Sequence, residues 1–151
     1  MGWVGSLRGQ VVGLDTAPVI YFIEENPIYL PIVRPFFQAL DQGEFRAITS
    51  MVTLLEVLVN PFRRGDAGLA QQYRDILLDS NGLTCAGLSS EIAEETARLR
   101  SQHNLRTPDA IQMATAIHEG ASFFLTNDAS LPSLPMLQVM VLNQLRLGDP
   151  T

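Results

Sequence analysis

The sequence predicts an α/β domain built on a parallel sheet with helices on both faces. Short runs such as VVGLD (11–15) and SFFLT (122–126) are apolar without alternation, as strands buried on both faces are. Segments of helical periodicity separate them. The 151 residues, 46% hydrophobic and 17% charged, suffice for one domain with a real core and are too few for two.

Residues 11–15 read as a first strand ending at Asp15. Pro18 suits the first turn of a helix that runs to Ile23, and Glu24–Glu25–Asn26–Pro27 breaks it. A second helix starts near Leu30 or Pro31, runs to Asp41 and stops at Gln42–Gly43. Residues 45–49 (FRAIT) read as the second strand, and Ser50 opens a turn. Val52 to Asn60 reads as a helix ended by Pro61, with 62–65 (FRRG) as a loop. Gly68 to Ser80 is another helix, with Leu69, Tyr73, Ile76 and Leu77 on one face and Asn81–Gly82 as its stop.

Residues 83–88 (LTCAGL) read as a third strand. Ser89 or Ser90 caps a helix to about His103. Thr107–Pro108–Asp109 is a strong helix start, with Thr107 at the N-cap, and that helix runs to Glu119 before Gly120. Residues 122–126 form the fourth strand, Asn127–Asp128 the turn after it, and 137–142 (LQVMVL) a fifth; the remainder reads as a tail.

Net charge is −6 with pI ≈ 4.7, and all ten basic residues are arginine. Acidity on this scale counts against strong nonspecific nucleic-acid binding, which rests on neutralising phosphates. It leaves room for a nuclease whose arginines are local. The single cysteine, Cys85, allows no intramolecular disulfide and no cysteine-based zinc site. The opening MGWVGSLRGQ is too polar and Gly-broken for a signal peptide, and no apolar run approaches a membrane span. A cytoplasmic protein is the expectation.

Asp15, Glu56, Asp109 and Asp128 each interrupt an apolar stretch. Every strand of a parallel sheet ends at the same edge. Asp15 ends the first strand, and Asp128 follows the fourth. Asp109 begins the helix that feeds the fourth strand, and Glu56 lies within two turns of the second. All four belong at one edge, with no basic residue expected to neutralise them. Crowded carboxylates resist ionisation unless a divalent cation joins them, and such a site suits phosphodiester chemistry. Each acid has a plainer reading. Asp15 serves as a helix cap, Asp109 complements a helix dipole, Asp128 is a turn residue, and Glu56 lies on a polar stripe with Thr53 and Asn60.

The segments GLDTAPVIYFIE, TSMVTLLEVL, TPDAIQMATAI and FLTNDASL, in this order and spacing, resemble PIN-domain nucleases, most closely the VapC-type toxin ribonucleases. The resemblance covers about residues 11–143. It implies a PIN-like fold, a parallel five-stranded sheet flanked by helices. It further implies a Mg2+- or Mn2+-dependent endoribonuclease, a homodimer, and a cognate antitoxin partner. Asp15, Glu56, Asp109 and Asp128 fall on the family's acidic positions. Thr126, Asn127 and Ser50 fall on polar neighbours that would steady ligands or water. Candidate RNA contacts are Arg63, Arg64, Arg98, Arg100 and Arg106, against a plain reading as solubilising charges. Tyr73, Phe36 and Phe37 are expected in the core. Apolar residues on the Glu56 helix and the helix after it are candidates for a dimer or antitoxin surface.

Two other aspartate-rich α/β classes lack their chemistry here. A phosphoacceptor receiver domain needs a lysine, and the chain has none. A haloacid-dehalogenase phosphatase needs a second Asp two residues after the first, where Ala17 stands. The remaining alternative is a catalytically silent module on the same fold that binds RNA or protein.

Overall fold

The computed structural model describes residues 2–145. Five parallel strands form one sheet in the order β3-β2-β1-β4-β5. They are β1 (Val11–Leu14), β2 (Arg46–Ser50), β3 (Leu83–Ala86), β4 (Phe123–Thr126) and β5 (Gln138–Val141). The helices are α1 (Thr16–Ile23), α2 (Leu30–Asp41), α3 (Met51–Arg64), α4 (Ala67–Leu78), α5 (Ser90–Gln102) and α6 (Thr107–His118). The expected parallel α/β sheet is present.

Pleating sorts the strand side chains between two cores. Val12, Leu14, Ala47 and Leu125 join residues of α1 to α4 in one cluster. Ile48 and Phe124 join α5 and α6 in the other. Phe36, Phe37 and Tyr73 are buried in the first cluster, as expected. A 3-10 turn, Trp3–Leu7, adds Trp3 to the same core, stacked on Phe36 at 5.9 Å between centroids. The polar reading of the N-terminal residues gave no hint of that turn.

The chain moves outward from β1 to β2 to β3, then returns through α5 and α6 to place β4 on the other side of β1. The direction of winding therefore reverses between β1 and β4. At that point connections leave on both sides and open a crevice beyond the strand ends. Asp15 follows β1 and Asp128 follows β4, so both flank it.

Three expectations need correction. Pro61 does not end α3, which runs on to Arg64. Pro61 removes one backbone donor from α3, but the helix continues through it and its ring is buried. The stop is Gly65, in the left-handed region (φ 64°, ψ 28°), where it leaves the helix without a Cβ penalty. The N-cap of α6 is Arg106, not Thr107, because the Arg106 carbonyl already accepts the Ala110 N–H at 2.9 Å. The expected tail begins with a further 3-10 turn, Leu142–Gln144, and from residue 146 lies outside the described residues.

Gly13 sets how closely α6 lies on β1. A Cβ there would stand 2.5 Å from Ala116 Cβ and 2.9 Å from Phe124 Cδ1. Neither neighbour is the far end of a flexible chain, so α6 must move. Gly13→Ala is expected to destabilise the fold by about 1–3 kcal/mol, read as a lower melting temperature. An unchanged melting temperature would show that α6 has slack.

Candidate active site

Four acidic side chains line one cleft at the carboxyl edge of the sheet: Asp15, Glu56, Asp109 and Asp128. Thr16, Tyr21, Arg106, Thr126 and Asn127 share the wall, and the cavity measures about 410 Å3. Sequence reasoning placed the four acids together, and the structure brings them together.

Each acid is held by its own donors. Asp15 caps α1 by accepting the Thr16 N–H at 2.9 Å on Oδ1, so its plain role as a helix cap is also real. Its Oδ2 accepts the Thr126 hydroxyl at 2.7 Å. Thr126 Oγ1 in turn accepts the Asp128 N–H at 3.0 Å, tying the two acids' loops together. Asp128 Oδ1 accepts from the Ser130 N–H and hydroxyl at 2.9 and 2.6 Å, as a turn residue does. Glu56 is exposed, and its Oε1 accepts the Thr16 hydroxyl at 2.5 Å.

Asp109 differs from the expectation. Arg106 Nε donates to its Oδ2 at 3.0 Å, so one basic residue does stand among the acids. Positions 106 and 109 are one helical turn apart, which places the two side chains side by side. Arg106 also feels Asp128 and Glu56.

Burial pushes the Asp15 carboxyl above its ordinary value of 3.8. The Thr126 and Thr16 hydrogen bonds oppose that rise, and the negative charges of Asp109 and Glu56 add to it. Asp128 moves the other way, held below the usual range by its two Ser130 donors.

Beneath the cleft lies a buried network that the sequence did not announce. Gln112 is 3% exposed, and Thr53 and Thr49 are as deeply buried. Gln112 Oε1 accepts the Ser50 hydroxyl at 2.7 Å. Its Nε2 donates to Thr53 Oγ1 at 2.6 Å and to Thr16 Oγ1 at 3.2 Å. Thr49 spends its hydrogen on the Leu14 carbonyl at 2.8 Å, so Thr53 must donate in the 2.7 Å contact between them. Ser50 also caps α3 through the Val52 N–H. The available signal was slight: Gln112 is a polar residue one turn after Asp109 in a mostly apolar run that also holds Thr115.

Not every candidate converges. Asn127 lines the cleft, but its amide donates to Tyr21 OH at 3.2 Å and its carbonyl accepts the Asn143 N–H at 3.0 Å, so it braces the wall rather than an acid. Arg63 and Arg64 end α3 outside the cleft. Arg98 pairs with Glu95, and Arg100 Nε donates to the Leu105 carbonyl. Of the five arginines, only Arg106 lines the acidic cleft.

The donor set is all oxygen, which suits a hard divalent cation. Among the described residues, no three acidic, histidine or cysteine side chains converge closely enough to cage an ion alone. Mg2+ commonly binds through one or two carboxylates and keeps several waters. A carboxylate such as Asp15, costly to ionise beside two others, fits such a site.

A PIN-domain sequence profile matches residues 12–135. No curated protein matches the sequence. Solved structures share the fold. The VapBC2 complex of Rickettsia felis, bound to a fragment of its promoter DNA, aligns at a TM-score of 0.67 and 19% identity, over 87% of this chain and 98% of that one. A toxin–antitoxin complex from Klebsiella pneumoniae gives 0.63 and 24%, over 84% and 94%. VapC20 of Mycobacterium tuberculosis, a toxin that cleaves the sarcin–ricin loop, gives 0.61 and 15%, over 76% and 86%. At these identities the structures speak for the fold, while the profile covers most of the sequence and all four acids: the chain belongs to the PIN-domain family.

Proposed function

We propose that the protein is a Mg2+- or Mn2+-dependent endoribonuclease and the toxin of a toxin–antitoxin pair. The carrying observation is the cleft where Asp15, Glu56, Asp109 and Asp128 meet at the winding reversal of a PIN sheet. The neighbouring structures are VapBC and other toxin–antitoxin proteins, one of them an RNA-cleaving toxin, which supports the assignment.

Asp15 with Asp109 or Asp128 would hold the cation, directly or through water, and Glu56 would complete the site. The bound ion would acidify a water and stabilise charge on the scissile phosphate. Thr126 orients the Asp15 carboxylate and fixes the Asp128 backbone. Thr16 holds Glu56, and Gln112 with Ser50 holds Thr16 and the start of α3. Donors of this kind commonly matter 10- to 100-fold. The expected products carry a 5′-phosphate and a 3′-hydroxyl.

Partners follow from the surface. Met51, Leu55, Val59 and Phe62 expose an apolar stripe along α3, and Leu78 is exposed on α4. Such a stripe suits a second copy of the chain or an antitoxin. Among the described residues no helix is long and apolar enough to cross a membrane, and a cytoplasmic location is part of the same proposal. The alternative, a silent RNA- or protein-binding module, predicts that RNA is retained intact when Mn2+ is added.

Asp15→Asn should reduce Mn2+-dependent RNA cleavage by about 100-fold or more, since one ligand of the ion is neutralised. Full cleavage by the variant would remove Asp15 from the chemistry. The same substitution bears on stability. Because the folded pKa of Asp15 is raised, the folded state keeps this proton to higher pH than the unfolded state does. Asp15 therefore favours folding at low pH, and that contribution is lost as pH rises through its raised pKa. Metal-free Asp15→Asn should lack this component and melt slightly higher than wild type near neutral pH. A marked drop in melting temperature would assign Asp15 a structural role instead.

The network gives a separable pair of outcomes. Gln112→Met leaves buried hydroxyls unpaired and should cost about 1–3 kcal/mol of stability, together with activity. Thr16→Val removes the hydroxyl that holds Glu56 and that accepts one Gln112 hydrogen, so cleavage should fall about tenfold with a smaller drop in melting temperature than Gln112→Met gives, since Gln112 keeps its Thr53 and Ser50 partners. Equal activity in Thr16→Val and wild type would mean that Glu56 needs no such support.

A further inference from the structure

Arg106 is in an unfavourable place for a cation that merely solubilises the surface. It caps the N-terminus of α6, where the helix dipole disfavours positive charge, and its side chain makes no capping hydrogen bond. Instead the guanidinium reaches over the first turn to Asp109 Oδ2 at 3.0 Å, within the field of Asp128 and Glu56. Among the described residues it is the one basic side chain lining the acidic cleft. Arg106 is 79% exposed while Asp109 is 13% exposed, so the guanidinium can leave freely but the carboxylate has few other places to turn.

We infer that Arg106 is an exchangeable counterion: it occupies Asp109 while the cleft is free of metal, yields that carboxylate when a divalent cation binds, and then contacts a phosphate of the RNA. This rests on the function proposed above and deepens it by naming the residue that couples cation binding to substrate binding. Three observations lead to the exchange. An arginine hydrogen-bonded to a carboxylate oxygen competes with an ion for the same lone pairs. An exposed pair of this type is weak and easily broken. The freed guanidinium stays at the cleft rim, and its five-donor fork matches phosphate oxygens.

The exchange predicts opposite changes in two measurements on one variant. Without RNA, Arg106→Gln should bind Mn2+ about threefold more tightly than wild type, measured by paramagnetic resonance of free Mn2+, because a competitor for Asp109 is gone. At saturating Mn2+, its KM for a single-stranded RNA should rise about fivefold, and the salt dependence of log KM should flatten by about 0.7, the loss of one phosphate contact. Arg106→Lys, which keeps the charge without the fork, should fall between the two on both measures and controls for folding. Unchanged or weaker Mn2+ binding by Arg106→Gln would overturn the competition. Tighter Mn2+ binding with unaltered KM would overturn the transfer to phosphate. If wild type neither binds Mn2+ nor cleaves RNA, the endoribonuclease assignment itself fails, which is a different result from either.

Discussion

Thr49 Oγ1 has one hydrogen and gives it to the Leu14 carbonyl, the last of β1. From that bond the direction of a whole network follows. Thr53 must donate to Thr49, so it can only accept from Gln112. The Gln112 amide is thereby oriented, its oxygen toward Ser50 and its second hydrogen toward Thr16. Thr16, accepting from Gln112, is left with its own hydrogen for Glu56. The side chains come from the end of β2 and from α1, α3 and α6, with a backbone carbonyl from the end of β1, and most are sealed from water. An unmade bond among them carries a full desolvation cost, so the elements must arrive in register together. Gly13 makes the arrival possible, because only a residue without a Cβ lets α6 bring Gln112 down onto the strand ends.

The same economy of donors governs the acids above the network. Four carboxylates at one edge repel, yet none is neutralised by a buried cation. Each is steadied by its own donor groups: the Thr16 N–H and Thr126 hydroxyl for Asp15, Ser130 for Asp128, the Thr16 hydroxyl for Glu56 and Arg106 for Asp109. The result is a set of separated carboxylates rather than a closed cage, and among the described residues no three converge on one point. Environment also divides them. Asp15 is pushed up by burial, and Asp128 is pulled down by two short donors, although both flank the same crevice.

What could be read from the sequence was what charge and periodicity expose. A carboxylate inside an apolar run is conspicuous, and parallel topology then sends Asp15, Asp109 and Asp128 to one edge whatever the strand order. Tyr73 and the Phe36–Phe37 pair were legible as core for the same reason. Gln112 was not, because a neutral polar residue in a helix is ordinary until the helix is known to be buried on that side. The Arg106–Asp109 pair was within reach, since a three-residue spacing on a helix start was visible. It was hidden by placing the N-cap one residue late, at Thr107, which leaves Arg106 outside the helix. Pro61 misled in the opposite way. Proline takes one donor out of a helix without having to end it, and here the left-handed Gly65, four residues later, decides the end.

The acidity of the chain, a poor sign for a protein that handles RNA, takes a different meaning once charge is located. With a net charge of −6, general attraction for a polyanion is weak. Any affinity then has to be made locally, and the cleft is the place where the strength of the repulsion depends on occupancy. With Arg106 paired to Asp109 and nothing else bound, four negative groups face one positive one, and a phosphate is repelled. In the proposed exchange a divalent ion would add two positive charges at the same point and leave the guanidinium without its carboxylate, so both would become available to phosphate oxygens. Under the proposed function, binding of RNA would then be tied to readiness for cleavage, because the groups that attract the backbone are those present only in the loaded site. A strongly basic surface would hold RNA whether or not the site could act on it. An acidic chain with a conditional cleft would hold RNA only where it can cut.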